Sequence, residues 1–166
     1  MKLRFAWLPL CLLTLFLVIG CATPQISPNG APTPTWSGRL AVQVDATESQ
    51  PSQSFSSAFE LQGQAAQGQL HFYTPLGSTA AVIVWTPEQA SLRSGSDVQS
   101  FSNIDILIAQ VLGTPVPVSA LFAWLAGELT SLDNWQVDLS QFDRGKITAR
   151  RINPAPKAEI RVILEP

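Results

Sequence analysis

Apolar and polar residues alternate along much of the chain from residue 36 onward. In Gly38–Asp45, Leu40, Val42 and Val44 share one parity while Arg39, Gln43 and Asp45 share the other. In Phe55–Gln62, Phe55, Phe59 and Leu61 fall together, and Leu70 and Phe72 alternate with Gln69 and His71. An extended chain turns successive side chains to opposite faces, so each stretch predicts a strand with one wet and one apolar face. Ala80–Trp85 is apolar at both parities, and pattern alone does not set its register. Further strands are expected at 89–93, 98–101, 135–142, 146–153 and 159–164, with Asp143-Arg144-Gly145 as a tight turn. The links between the early strands are short and carry Gly63, Gly68, Ser and Gln. Such links favour an antiparallel meander over parallel units, which need long crossovers.

The period changes at residue 104. Ile104, Leu107, Ile108, Val111 and Leu112 follow helical spacing, with Ser102 or Asn103 to cap the start and Gly113 to end it. Thr114-Pro115-Val116-Pro117 interrupts the chain. A second short helix is expected over Val118–Ala126, apolar at Leu121, Phe122, Trp124 and Leu125 and stopped by Gly127. Roughly eight strands with two helices inserted after the fifth or sixth predict a mainly β fold with α. An antiparallel sheet with one apolar face needs that face covered, and the two helices are the available cover. The expected architecture is a strongly curved sheet or incomplete barrel with a helical lid. The helix stripes fit a packed core and equally an apolar cavity beneath a lid.

Tyr73–Thr79 joins two predicted strands. Pro75 presets φ and Gly77 supplies a positive φ, which is turn chemistry. Leu76 lies between them at the tip. A single exposed leucine is common on protein surfaces. Leu76 either folds back onto the sheet or meets something apolar, such as a bilayer.

Residues 1–20 read as a signal peptide, with Lys2 and Arg4 ahead of an apolar run from Phe5 to Ile19. Val18-Ile19-Gly20-Cys21 resembles the bacterial lipobox, in which the cysteine takes fatty acyl groups such as palmitate and becomes the new N-terminus. Aspartate after that cysteine tends to retain such lipoproteins at the inner membrane, so Ala22 points to the outer membrane. Cys11 would leave with the signal peptide and Cys21 would be acylated, leaving no thiol for a disulfide, a nucleophile or a zinc cluster. Ala22–Thr35 carries prolines at 24, 28, 32 and 34 and reads as an extended linker. The expected organisation is a signal peptide over 1–20, an acylated Cys21 with a Pro-rich linker over 21–35, and one domain over 36–166, a length suited to one core.

Charge and composition remove other classes. The formal charge is −2, and loss of Lys2 and Arg4 makes the remainder −4, because residues 1–20 hold no acids. No basic stripe is present, so no nucleic-acid partner is expected. The single histidine, His71, has no neighbouring ligand types for a metal site. G-x-S-x-G, S-x-x-K, Walker and G-x-G-x-x-G patterns are absent, and the acids are scattered. No catalytic residues, metal or cofactor are expected, and the chain does not read as an enzyme.

The order of several stretches is similar to the outer-membrane lipoprotein receptor family LolB. These are Trp36–Val42, Phe55–Trp85 with Pro75-Leu76-Gly77-Ser78-Thr79 at its centre, Leu112–Val118 continuing through Leu121 to Trp124-Leu125-Ala126-Gly127, and the strands Trp135–Val137 and Ile160–Ile163. The resemblance covers nearly the whole body and the lipobox. It implies an open, incomplete antiparallel β-barrel with a short helical lid over an apolar cavity, a fold shared with the periplasmic carrier LolA. It implies an outer-membrane protein, lipid-anchored and facing the periplasm, that accepts acylated lipoproteins from that carrier and inserts them into outer-membrane lipid as a monomer. The alternative is an envelope lipoprotein of the same fold that binds lipids or other hydrophobes without lipoprotein cargo; a further one is a structural lipoprotein with a solid core. The resemblance gives Pro75, Leu76 and Gly77 a role as a membrane-insertion loop, and favours Ala81, Ile83 and Trp85 as the inward parity of their strand. With the parities above, the expected acyl-cavity lining is Leu40, Val42, Phe55, Phe59, Leu61, Leu70, Phe72, Ala81, Ile83, Trp85, Leu107, Val111, Leu121, Trp124 and Leu125. Two features depart from the family pattern: Val82 and Val84 sit where more polar outward residues are usual, and Glu165-Pro166 follows the last strand where an aromatic often closes it.

Overall fold

The structure, a computed structural model, describes residues 33–166. The expected signal peptide, Cys21 and the linker up to Pro32 lie outside the described residues. Nine strands form one antiparallel sheet. They are β1 (Thr35–Val44), β2 (Gln53–Gln64), β3 (Gln67–Tyr73), β4 (Thr79–Trp85), β5 (Ala90–Ser94), β6 (Asp97–Phe101), β7 (Trp135–Asp138), β8 (Lys146–Arg151) and β9 (Ala158–Leu164). The spatial order is β6-β5-β4-β3-β2-β1-β9-β8-β7. The first six strands form a meander, the last three form another, and β9 joins them by pairing with β1. β6 and β7 are the two free edges, so the barrel is open. β9 is an interior strand, paired on both sides, and the sheet needs no aromatic at its end to close it there.

Two helices, α1 (Ile104–Leu112) and α2 (Val118–Leu125), connect β6 to β7. Asn103 caps α1, its side chain accepting from the Ile106 N–H at 2.9 Å, and Gly113 ends it with φ +67°. Pro117 precedes α2 and offers no capping side chain. Asp105 of α1 supplies the cap instead, accepting from the Val118 N–H at 3.0 Å and fastening the two helices together.

The inward parity of the strands makes the core: Val42, Val44, Phe59, Leu61, Phe72, Ile83, Trp85, Ile147, Ala149, Ile160 and Val162 are all buried. The register of β4, which pattern left open, is fixed by Gly68. Gly68 pairs with Trp85, and a Cβ on it would come within 2.6 Å of the indole. The bare glycine lets the indole lie inward, where its Nε1 donates to the Ala65 carbonyl at 3.1 Å. Val84 is thereby turned out and is 44% exposed.

Three features differ from expectation. There are nine strands where roughly eight were expected, although the helices follow the sixth, one of the two places expected. β7 stops at Asp138, whose carboxylate accepts from the Ser140 N–H at 2.9 Å and bends the chain, so 139–142 leaves the sheet and Phe142–Arg144 forms a short 3-10 turn. His71 is half-buried rather than open to solvent, with its ring stacked 6.3 Å from that of Tyr73.

Candidate functional site: an apolar cavity and a protruding loop

Strands curl around one face and the two helices lie across it, leaving a cavity of about 80 Å³. Its wall is formed by Leu40, Phe59, Leu61, Leu70 and Trp85 from β1–β4, Ile104 and Ile108 from α1, Val118, Leu121, Phe122, Trp124 and Leu125 from α2, and Ile147, Ile160 and Val162 from β8 and β9. No lining residue is charged. A wall of this kind attracts hydrocarbon by removing it from water and imposes little directional selection.

Among the residues named from sequence, Leu40, Phe59, Leu61, Leu70, Trp85, Leu121, Trp124 and Leu125 meet at this cavity. Val42, Phe72, Ile83 and Leu107 are buried in the packed core, away from the cavity wall. Ala81 and Val111 are half-buried and also off the wall, and Phe55 is 39% exposed, edge-on to Phe72. The division arises because parity selects a face of the sheet, while only part of that face lies under the gap between strand and helix. Ile104, Ile108, Val118, Phe122, Ile147, Ile160 and Val162 also line the cavity and were not among the expected lining residues. The helix residues lie on the stripes already visible, and Ile160 and Val162 alternate as inward residues do. What sequence lacks is the pairing of β9 with β1 that brings β8 and β9 beneath the helices.

Aromatic contacts join the lid to the sheet. Trp36 packs edge-on to Phe122 with centroids 5.5 Å apart, and its Nε1 donates to the Leu125 carbonyl at 3.1 Å, tying the end of α2 to β1. Trp124 lies 6.0 Å from Trp135, and its buried Nε1 has no acceptor among the described residues. Buried donors without partners are rare in folded proteins.

The β3–β4 loop presents the opposite surface. Leu76 is 96% exposed. The loop is closed beneath it: Thr74 N–H donates to the Ser78 carbonyl at 2.8 Å, Gly77 N–H donates to the Thr74 carbonyl at 2.9 Å, and the Thr74 and Ser78 hydroxyls lie 2.8 Å apart. Gly77 has φ +82°, and its surroundings are open solvent. At the loop's base the Tyr73 hydroxyl donates to Glu60 at 3.1 Å. Desolvation, then the Glu60 carboxylate, raises the Tyr73 pKa above the ordinary phenol range and keeps the donor protonated. Among the described residues no cluster of His, Cys, Asp and Glu could hold a metal ion, and no helix is long and apolar enough to cross a membrane.

Residues 35–159 match the protein family described as outer membrane lipoprotein LolB. The chain is 30% identical to the outer-membrane lipoprotein LolB of Dechloromonas aromatica over 186 aligned positions, covering 99% of this chain and 95% of the relative. It is 29% identical to the protein of the same description from Bordetella petrii, covering 88% and 85%, and 27% identical to that of Thiobacillus denitrificans, covering 88% and 89%.

Proposed function

Because the chain belongs to the LolB family of outer-membrane lipoproteins, we propose that its apolar cavity receives the acyl chains of lipoproteins handed over by a LolA-like periplasmic carrier and that its Leu76 loop helps deliver them to the bilayer. The protein is an outer-membrane lipoprotein facing the periplasm, and it acts as a receptor and insertion factor for other lipoproteins. Its work is physical transfer without covalent chemistry, carried out by a monomer anchored through an acylated Cys21 behind the signal peptide and linker. The observation that carries this reading is the cavity wall, apolar throughout and covered by two short helices.

The energetics favour direct hand-over. Each buried methylene contributes roughly 0.8 kcal/mol, so a long chain does not pass through water at a useful rate. Passage from one apolar cavity to another avoids that barrier. The free space of about 80 Å³ is smaller than the roughly 150 Å³ that accommodates one benzene ring. Acyl chains therefore enter only as α1 and α2 lift from the sheet. The lid is small, and the Trp36–Leu125 hydrogen bond is one of its few polar ties to the strands.

A transfer assay tests the function. Full-length protein in outer-membrane lipid vesicles, given a carrier loaded with fatty-acid-labelled lipoprotein, should move the label into the vesicles. Uptake of free lipid with no uptake of lipoprotein would instead identify a lipid-binding protein of the same fold. Fatty-acid label on a Cys21→Ala variant would remove the anchor assignment.

A further inference from the structure

A second cleft, of about 500 Å³, lies outside the acyl cavity. It is bounded by the Pro115–Pro117 link between the helices, by Asp133 and Trp135 at the start of β7, and by Arg151 at the end of β8. Arg151 is only 7% exposed. A buried arginine normally has a carboxylate partner, because an unpaired buried charge is expensive. Among the described residues no carboxylate lies within ion-pairing distance of Arg151; the ion pairs are Arg150–Glu159 and Arg161–Glu159, both on exposed arginines. One nitrogen, Nη1, donates to the Thr114 hydroxyl at 2.7 Å and to the Pro156 carbonyl at 3.5 Å. The rest of its donor fork has no protein acceptor among the described residues. Guanidinium forks of this kind match two oxygens of a phosphate or carboxylate.

The same cleft carries two acids, Asp105 and Asp133. One oxygen of Asp105 is used by the Val118 N–H, and Asp133 is exposed. A simple anion placed on Arg151 would be repelled by both. A ligand with a phosphate beside an ammonium group satisfies all three charges. Strand directions indicate where such a ligand would come from. Arg151 ends β8, and the antiparallel pairing through β9, β1, β2 and β3 puts that strand end on the same side of the sheet as the Leu76 loop. Ile152, next to Arg151, is 40% exposed there.

We propose that this cleft binds the headgroup of an aminophospholipid, with the phosphate on the Arg151 fork and the ammonium at Asp133 and Asp105. The headgroup chemistry follows from the cleft alone; its source in the bilayer rests on the membrane-facing role of the Leu76 end. Headgroup capture on this side would hold the open rim at the depth where lipid phosphates lie, with Leu76 directed toward the acyl region.

Calorimetry on the full-length protein in phosphatidylglycerol nanodiscs tests this with soluble probes. Glycerophosphoethanolamine should bind saturably at one site, at least about tenfold tighter than glycerophosphoglycerol or inorganic phosphate. Arg151→Lys keeps the charge and loses the fork, and should weaken the probe by about tenfold. Asp133→Asn, an exposed change that leaves the fold intact, should weaken glycerophosphoethanolamine and narrow its advantage over phosphate. No saturable binding, equal binding of all three probes, or unchanged binding in the Asp133→Asn variant would overturn the proposal. Leu76→Glu should bind the probe as the unaltered protein does. Failed lipoprotein transfer by the unaltered protein, with its probe binding intact, would count against the transfer reading alone.

Discussion

Leu76 and Ile83 belong to one hairpin and carry side chains of the same composition, yet one is 96% exposed and the other 0%. Ile83 is enclosed by packing: its strand faces Leu70 across β3 and Leu92 across β5. Leu76 is held in water by backbone: two main-chain hydrogen bonds and a hydroxyl pair close the loop under it. Burying such a side chain gives roughly 1.5–3 kcal/mol. The fold collects that gain at Ile83 and leaves it uncollected at Leu76, where it remains available to any apolar surface the tip meets. Apolar residues in this protein therefore serve two ends, and exposure at the tip is built by the loop rather than left over from folding.

The largest effect is expected from turning the tip polar. Leu76→Glu removes the leucine's membrane gain and adds a charge near hydrocarbon, a swing of about 4 kcal/mol or about a thousandfold in the membrane-engaged population. Receipt of cargo from the carrier and thermal stability should stay normal, while release into vesicles fails and cargo accumulates on the protein. A fall in melting temperature would show that Leu76 contributes to packing and would dissolve the contrast with Ile83. Ile83→Ala should do the reverse, lowering unfolding free energy in denaturant by about 2–4 kcal/mol. Any active fraction that remains should still release cargo.

Next in size is the cavity itself. Leu121→Trp adds bulk to the half-buried side of the lid, and overpacking typically costs about 1–3 kcal/mol. Acyl-probe binding should drop while circular dichroism is preserved. Unchanged probe uptake would mean that acyl chains bind elsewhere. The smallest change is Trp36→Phe, which loses the hydrogen bond to the Leu125 carbonyl and should lower stability by about 1 kcal/mol. Stopped-flow uptake of a fluorescent fatty acid should become faster as the lid loosens; slower uptake would mean that the Trp36 contact guides entry.

The sequence reveals unequal parts of this design. Alternation reads out β1–β3 directly, and the switch from a period of two to helical spacing locates α1 and α2, because each face meets a different medium. The register of β4 is hidden, since Val82 and Val84 are as apolar as Ala81 and Ile83. Gly68 decides it, but only once its pairing with Trp85 is known. At the cavity, Leu40, Phe59 and Trp124 follow from parity and helical phase, whereas Ile147 and Val162 depend on the pairing of β9 with β1, strands far apart in the chain. Nor does pattern distinguish Val42, in the packed core, from Leu40 on the cavity wall, as the two share a parity. The exposure of Leu76 follows from hydrogen bonds within five residues, yet Pro75 and Gly77 alone are equally compatible with a tip folded inward.

The position of β9 between β1 and β8 has a consequence for how the chain is made. Val44 and Ala158 are register partners, and at the usual pace of synthesis their separation amounts to a wait on the order of ten seconds. During export β1 has β2 on one side and a bare edge on the other until the last strand arrives. The pairings of the first meander join neighbouring strands, while the seam with the second needs β9 and can form only after that strand has crossed. Bare strand edges invite pairing with other chains, so this interval is the vulnerable one in the protein's life. A chain stopped at residue 157 should remain open at that seam and be cut rapidly by protease, and resistance equal to that of the full chain would show that the sheet does not depend on its seam.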